Sequence, residues 1–143
     1  MDQMVRMTGV GGVDQLEVVS CTPQVPGQGE VRIRHEAIGV NFIDIYHRTG
    51  LYPLVPLPAV LGVEGAGVIE AVGKNVTDLV IGDRIAYAGA PVGAYAATRL
   101  LPQARAILLP KDISSHIAAA SMLKGLTANP PKLSPSQLDQ QFF

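Results

Sequence analysis

The sequence predicts a mainly β fold with short helices, built as a sandwich or barrel, and three observations lead there. Fifteen glycines and eleven prolines punctuate the 143 residues, a density that suits short strands joined by turns. One segment, 30–37, alternates apolar and polar residues with period two. Several short β-rich runs then follow one another at roughly 8–12-residue spacing.

In chain order, 16–20 (LEVVS) is a short strand leading into a Pro/Gly-rich turn over 22–29 that also holds Cys21 at its edge. In 30–37 (EVRIRHEA), Val31, Ile33 and His35 share one face, and Arg32, Arg34 and Glu36 the other. That is the pattern of a half-buried strand. In 39–49 (GVNFIDIYHRT), Phe42, Ile45 and Tyr46 recur at helical spacing, and Gly50 stands where a C′ glycine ends a helix. Three prolines in 51–58 (LYPLVPLP) exclude a central strand and leave an ordered loop. A long strand is expected over 60–72, with Gly62, Gly65 and Gly67 marking bends or close approaches. Gly82-Asp83 turns the chain into a strand at 84–88, and 94–101 and 106–109 supply two more. In 114–127, Ser114 or Ser115 caps a helix whose buried face is expected to carry Ile117, Ala120, Ser121 and Leu123. The last stretch, 129–143 (NPPKLSPSQLDQQFF), reads as an irregular tail.

The length fits one domain. Eleven basic residues against twelve acidic ones give a net charge of −1, which argues against nucleic acid or an anionic membrane as a partner. The single Cys21 rules out an internal disulfide framework and a multi-cysteine zinc site. No apolar stretch approaches the roughly 18 residues of a membrane span, and residues 1–8 contain no secretory signal. The expectation is a cytoplasmic protein. Hydrophobic residues are 48% and charged ones 16%, so apolar surface is expected to remain for a partner or a second copy. A homo-oligomer is the expectation.

No simple catalytic motif stands out. LGVEGAG lacks the G-x-G-x-x-G spacing that opens a helix, and no phosphate-binding loop or nucleophile elbow is present. His35, His47 and His116 form no metal-ligand spacing; His35 reads as a hydrogen-bonded structural residue, and Cys21 as an ordinary thiol. The densest chemistry lies in Asn41, Asp44, Tyr46, Arg48 and Tyr52. Amide and phenol groups there could orient a ligand. Equally, they could be ordinary helix packing with Asp44 and Arg48 as an exposed i, i+4 pair.

Residues 31–128 resemble the N-terminal part of the zinc-free quinone oxidoreductases, the zeta-crystallin branch of the medium-chain dehydrogenase/reductase superfamily. The resemblance rests on VRIRHEAIGVNFIDIYHRTGLYP, LPAVLGVEGAGVIEAVG, VGAYAATRLLP and AAASMLKGLTA. It implies a GroES-like, partly open β-barrel over 1–128, the catalytic domain that pairs with an NADPH-binding Rossmann domain. It further implies that Asn41 and Tyr52 face the nicotinamide and substrate, and that Tyr46 and Thr127 contact the cofactor. Asp44, Arg48 and Glu64 become structural supports. In zinc-dependent relatives a cysteine occupies the Asn41 position and a histidine the Val63 position. The resemblance therefore implies no metal, with hydride transfer to a quinone, an enal or a similar electron-poor carbonyl.

The likeness stops near Ala128, where Asn129-Pro130-Pro131 would break the expected helix. The Rossmann domain is not found in the sequence. The expectation is a truncated or frameshifted quinone oxidoreductase, or an artefact of the expressed sequence, inactive alone and self-associating, with Phe142 and Phe143 covering apolar surface. The alternatives are a non-catalytic barrel module that binds itself or a partner, and a co-chaperonin-like ring protein.

Overall fold

The computed structural model describes residues 1–128; the expected tail and the covering role of Phe142 and Phe143 lie outside the described residues. Eight strands and two α-helices follow in the order β1 (Asp2–Met7), β2 (Leu16–Cys21), β3 (Glu30–Gly39), α1 (Phe42–Thr49), β4 (Ala59–Val60), β5 (Glu64–Val72), β6 (Arg84–Ala88), β7 (Thr98–Pro102), β8 (Ile107–Leu108) and α2 (Ser115–Ala128). The strands form two antiparallel sheets, ordered β2-β1-β4 and β7-β3-β5-β6-β8. A short bridge between Met4 and Ala96 stitches them together, with Val5 N–H donating to the Tyr95 carbonyl and Ala97 N–H to that of Gln3. The sheets do not close, so the expected partly open barrel is what forms.

Alternation decides which side of the larger sheet faces the core. Val31 and Ile33 of β3, Ile69 of β5, Ile85 and Tyr87 of β6 and Leu101 of β7 point inward and are fully buried. The opposite face of β5 and β6 presents Ala66 and Ala86, and α2 sits on them through Ala118 and Ala119. Small residues on both surfaces let helix and sheet approach closely.

This seat corrects the expected helix face. Ser115, Ala118 and Ala119 are buried, whereas Ile117 is exposed. Ile117, which helped set the helical period, points to solvent, while Leu123 is half-buried and faces α1; at the closest approach to the sheet the helix presents alanines. Ser114 does cap the helix, its Oγ accepting from Ile117 N–H at 3.2 Å.

Three further differences have local causes. The expected strand at 60–72 breaks at Gly62, whose φ of +94° turns the chain from β4 towards β5. The expected strand at 94–101 begins only at Thr98, since Ala94 pairs with Gly62 and residues 95–97 are committed to the bridge with β1. Cys21 ends β2 rather than lying in a turn.

His35 is a structural hydrogen-bonded residue, linking β3 to residues 87 and 96. Its Nδ1–H donates to the Ala96 carbonyl at 2.6 Å, and its Nε2 accepts from the Tyr87 hydroxyl at 2.7 Å. Burial pushes its pKa from the ordinary 6.5 down to about 4, against the Ala96 hydrogen bond, which pulls upward. The unfolded chain therefore takes up this proton at a pH where the native state does not, so stability falls as pH drops from about 6.5 towards 4. Burial lowers His47 in the same direction, opposed by Asp44. Urea unfolding at pH 5 is expected to show about 2 kcal/mol less stability than at pH 7.5. The His35→Gln variant should lose most of that difference while becoming less stable at pH 7.5.

Candidate functional site

A groove of about 720 Å³ runs between α1 and the end of α2. Its apolar lining comes chiefly from Val40, Phe42, Ile43, Ile45 and Leu123, and its polar groups from Asn41, Tyr46, Lys124 and Thr127.

Asn41 is the N-cap of α1, in extended conformation, and forms a reciprocal capping box with Asp44. Its backbone N–H donates to Asp44 Oδ2 at 2.9 Å. Gly50, at φ +83°, ends the helix with its N–H on the His47 carbonyl. The expected stop at Gly50 is met, whereas the helix begins only at Phe42 and Gly39 still belongs to β3.

Glu64, at the start of β5, lies directly beneath Asn41 with no exposed surface. Its Oε2 accepts from Asn41 Nδ2 at 2.8 Å, and its Oε1 accepts from the Leu123 N–H at 2.8 Å. Lys124 Nζ lies 4.0 Å from Glu64 Oε2 and donates to Asn41 Oδ1 at 3.2 Å. One buried carboxylate thereby joins β5, α1 and α2. Gly39 faces this point: a Cβ there would strike Glu64 Oε2 and the Ala119 carbonyl oxygen.

Asp44 is buried too, and it pairs with Tyr95 rather than Arg48. The Tyr95 hydroxyl donates to Asp44 Oδ2 at 2.7 Å, and burial together with that carboxylate pushes the Tyr95 phenol upward. Arg48 reaches the other way, its Nη1 donating to the Gly11 carbonyl at 2.6 Å. The exposed Asp44–Arg48 pair allowed by the sequence does not form.

The groove therefore brings Asn41, Tyr46 and Thr127 together. Tyr52 is not among its lining residues; its ring meets Tyr46 edge-on, with centroids 5.6 Å apart and planes at 89°. Its N–H donates to the Tyr46 carbonyl at 3.1 Å, which holds the two residues together. Thr127 turns its hydroxyl back to the Leu123 carbonyl at 2.9 Å. Lys124 and Tyr95 are absent from the sequence expectations. Lys124 was nonetheless legible, because it precedes Thr127 by three residues and so shares its helix face.

Two antiparallel sheets joined by a short bridge, with an apolar, helix-lined groove at one side, define an open barrel domain. Residues 27–111 match the family described as the alcohol dehydrogenase GroES-like domain, and the chain belongs to that family. Over 127 residues it is 49% identical to a quinone oxidoreductase of Pseudomonas aeruginosa, covering 89% of this chain and 39% of that protein. It is 45% identical to a 2-haloacrylate reductase of a Burkholderia species over 124 residues, covering 82% of this chain and 37% of that one. The crystal structure of Escherichia coli quinone oxidoreductase complexed with NADPH superposes with a TM-score of 0.85 at 42% identity, over 87% of this chain and 38% of the other. The chain spans about two fifths of the length of these relatives.

Removing the Glu64 carboxylate leaves the Asn41 amide and the Leu123 N–H without their buried acceptor. The Glu64→Ala variant is expected to lose about 3 kcal/mol in urea unfolding. Amide exchange at Leu123 should quicken more than exchange in β3, and equal protection in both would contradict the joining role of Glu64.

Proposed function

We propose that this chain is the substrate-side domain of a zinc-independent, NADPH-dependent quinone oxidoreductase, with the α1–α2 groove forming one wall of the reaction cleft. The Asn41 amide, held by Glu64 at the floor of an apolar groove beside Tyr46 and Thr127, carries this reading. Its Nδ2 has a second N–H to offer a ligand.

The groove suits the nicotinamide end of the dinucleotide. It is apolar enough for a flat ring, and Asn41, Tyr46 and Thr127 would hold that end. Among the residues lining it, Lys124 is the single cation, so the pyrophosphate charge would rest on a second domain. When bound, the dinucleotide supplies the hydride.

Zinc does not fit this corner. Asn41 and Val63 offer neither thiolate nor imidazole, and both oxygens of Glu64 are engaged. A quinone needs little Lewis-acid help, because its reduced form is aromatic. A neutral donor at the rim is enough, and Tyr52, braced by Tyr46, is the donor this reading assigns to the acceptor oxygen.

The test is a chimera in which residues 1–128 replace the matching part of the Pseudomonas aeruginosa quinone oxidoreductase. It is expected to reduce 1,4-benzoquinone with NADPH. Tyr52→Phe and Asn41→Ala in the chimera should each lower kcat/KM by about tenfold or more. A folded chimera that binds NADPH and leaves the quinone untouched would sink this reading.

The rim supports a second reading, self-association. Val40 and Phe42, which line the groove, are 69% and 76% exposed, an apolar surface suited to a partner. Light scattering on the purified chain should then show a dimer or larger species, reduced by Phe42→Ser. A monodisperse monomer would count against it.

A further inference from the structure

We propose that the Lys124 ammonium is a binding group for a negatively charged oxygen in the groove, selecting planar conjugated phenolates and enolates. The proposal rests on reading the groove as the acceptor cleft and adds a charged residue to it.

Geometry is the argument. Glu64 already receives two hydrogen bonds at 2.8 Å, from Asn41 Nδ2 and the Leu123 N–H. Lys124 does not close onto it as a partner for a buried carboxylate would. Its Nζ stays 4.0 Å away and instead donates to Asn41 Oδ1 at 3.2 Å. The Asn41 amide thus stands between the two charges, giving an N–H to Glu64 and taking one from Lys124. This fixes the amide orientation and, through it, the position of the ammonium.

An ammonium has three N–H donors, and Asn41 uses one. The Lys124 side chain is 60% exposed, and the exposed part lines the groove. Around it stand Val40, Phe42 and Ile45. A flat ligand lying against these residues would displace water and strengthen the field of the charge. The other polar groups of the groove are neutral, so they hydrogen-bond a carbonyl and a phenol oxygen alike. Only Lys124 distinguishes an oxygen that carries charge from one that does not. A flat aromatic surface with one ionisable oxygen is the ligand this arrangement favours.

The probe is 4-nitrophenol, titrated against the 143-residue chain across a pH series. The phenolate is read by its absorbance, and the site by the NMR amide shifts of Asn41 and Thr127. At a given pH the ratio of phenolate to phenol should be about tenfold higher for bound dye than for free dye. The Lys124→Met variant should bind the neutral dye but lose this enhancement, and Lys124→Arg should keep it. If Lys124 only balances Glu64, Lys124→Met will lower the melting temperature and leave the ionisation of bound dye unchanged; that outcome overturns the proposal. Binding that shifts Asn41 and Thr127 without enhanced ionisation overturns it as well, while sparing the reading of the groove. No binding at millimolar dye removes both.

Discussion

A carboxylate with no exposed surface, Glu64, ties together elements that the chain brings from three separate places. Burying a carboxylate is costly unless its lone pairs are used. Here the Leu123 N–H and the Asn41 amide use them, from within α2 and from the start of α1. Much of the surrounding sequence follows from this demand. Gly39 is bare because Glu64 and the Ala119 carbonyl occupy the space a side chain would need. Ala66 and Ala86 are small because α2 must come close enough for the Leu123 N–H to reach the carboxylate. A larger residue at either place would push α2 outward and leave the charge without its donor.

The second constraint is how firmly α1 is held. Its N-terminus is closed by the Asn41–Asp44 capping box, and Asp44 is pinned from the barrel side by Tyr95. Tyr95 belongs to the segment that joins the two sheets, its carbonyl accepting from Val5. At the C-terminal end, Arg48 grips the Gly11 carbonyl and Gly50 reverses the chain, which returns Tyr52 to the Tyr46 ring. The groove side chains thus project from a helix of eight residues fixed at both ends. Such a helix has little freedom left to lose when a ligand binds, which lowers the cost of ordering the site.

What the sequence made legible and what it hid divide along physical lines. β3 was readable because Val31 and Ile33 alternate with charged residues, and the core on one face enforces that pattern. α1 was readable because its stop signal, Gly50, is local. β1 was not, because DQMVRM buries only Met7 completely; the strand is defined by its neighbour β2 and by the bridge to residue 96. The buried face of α2 was misjudged for a related reason. Ile117 looks like a core residue, yet it is exposed, and the alanine-lined sheet meets Ala118 and Ala119 instead. Residues 41, 46 and 127 were placed near one another by family likeness, and they do line one groove. The burial of Asp44 and the reach of Lys124 to Asn41 depend on contacts across 51 and 83 residues of chain, which no local pattern encodes.

The chemical character of the groove follows from the same contacts. Asn41 spends one N–H on Glu64 and its carbonyl on Lys124, so the amide cannot flip without breaking both bonds. Its second N–H is thereby held in a fixed direction, available to a ligand. The Tyr46 phenol adds a neutral hydrogen-bonding group to the lining, and the ammonium adds one positive charge. A wall built this way meets oxygen with donors, and flat carbon surfaces with Val40, Phe42 and Ile45. On the proposed function, such a wall suits a flat conjugated carbonyl compound better than a polyanion, whose several charges would need more than one lysine.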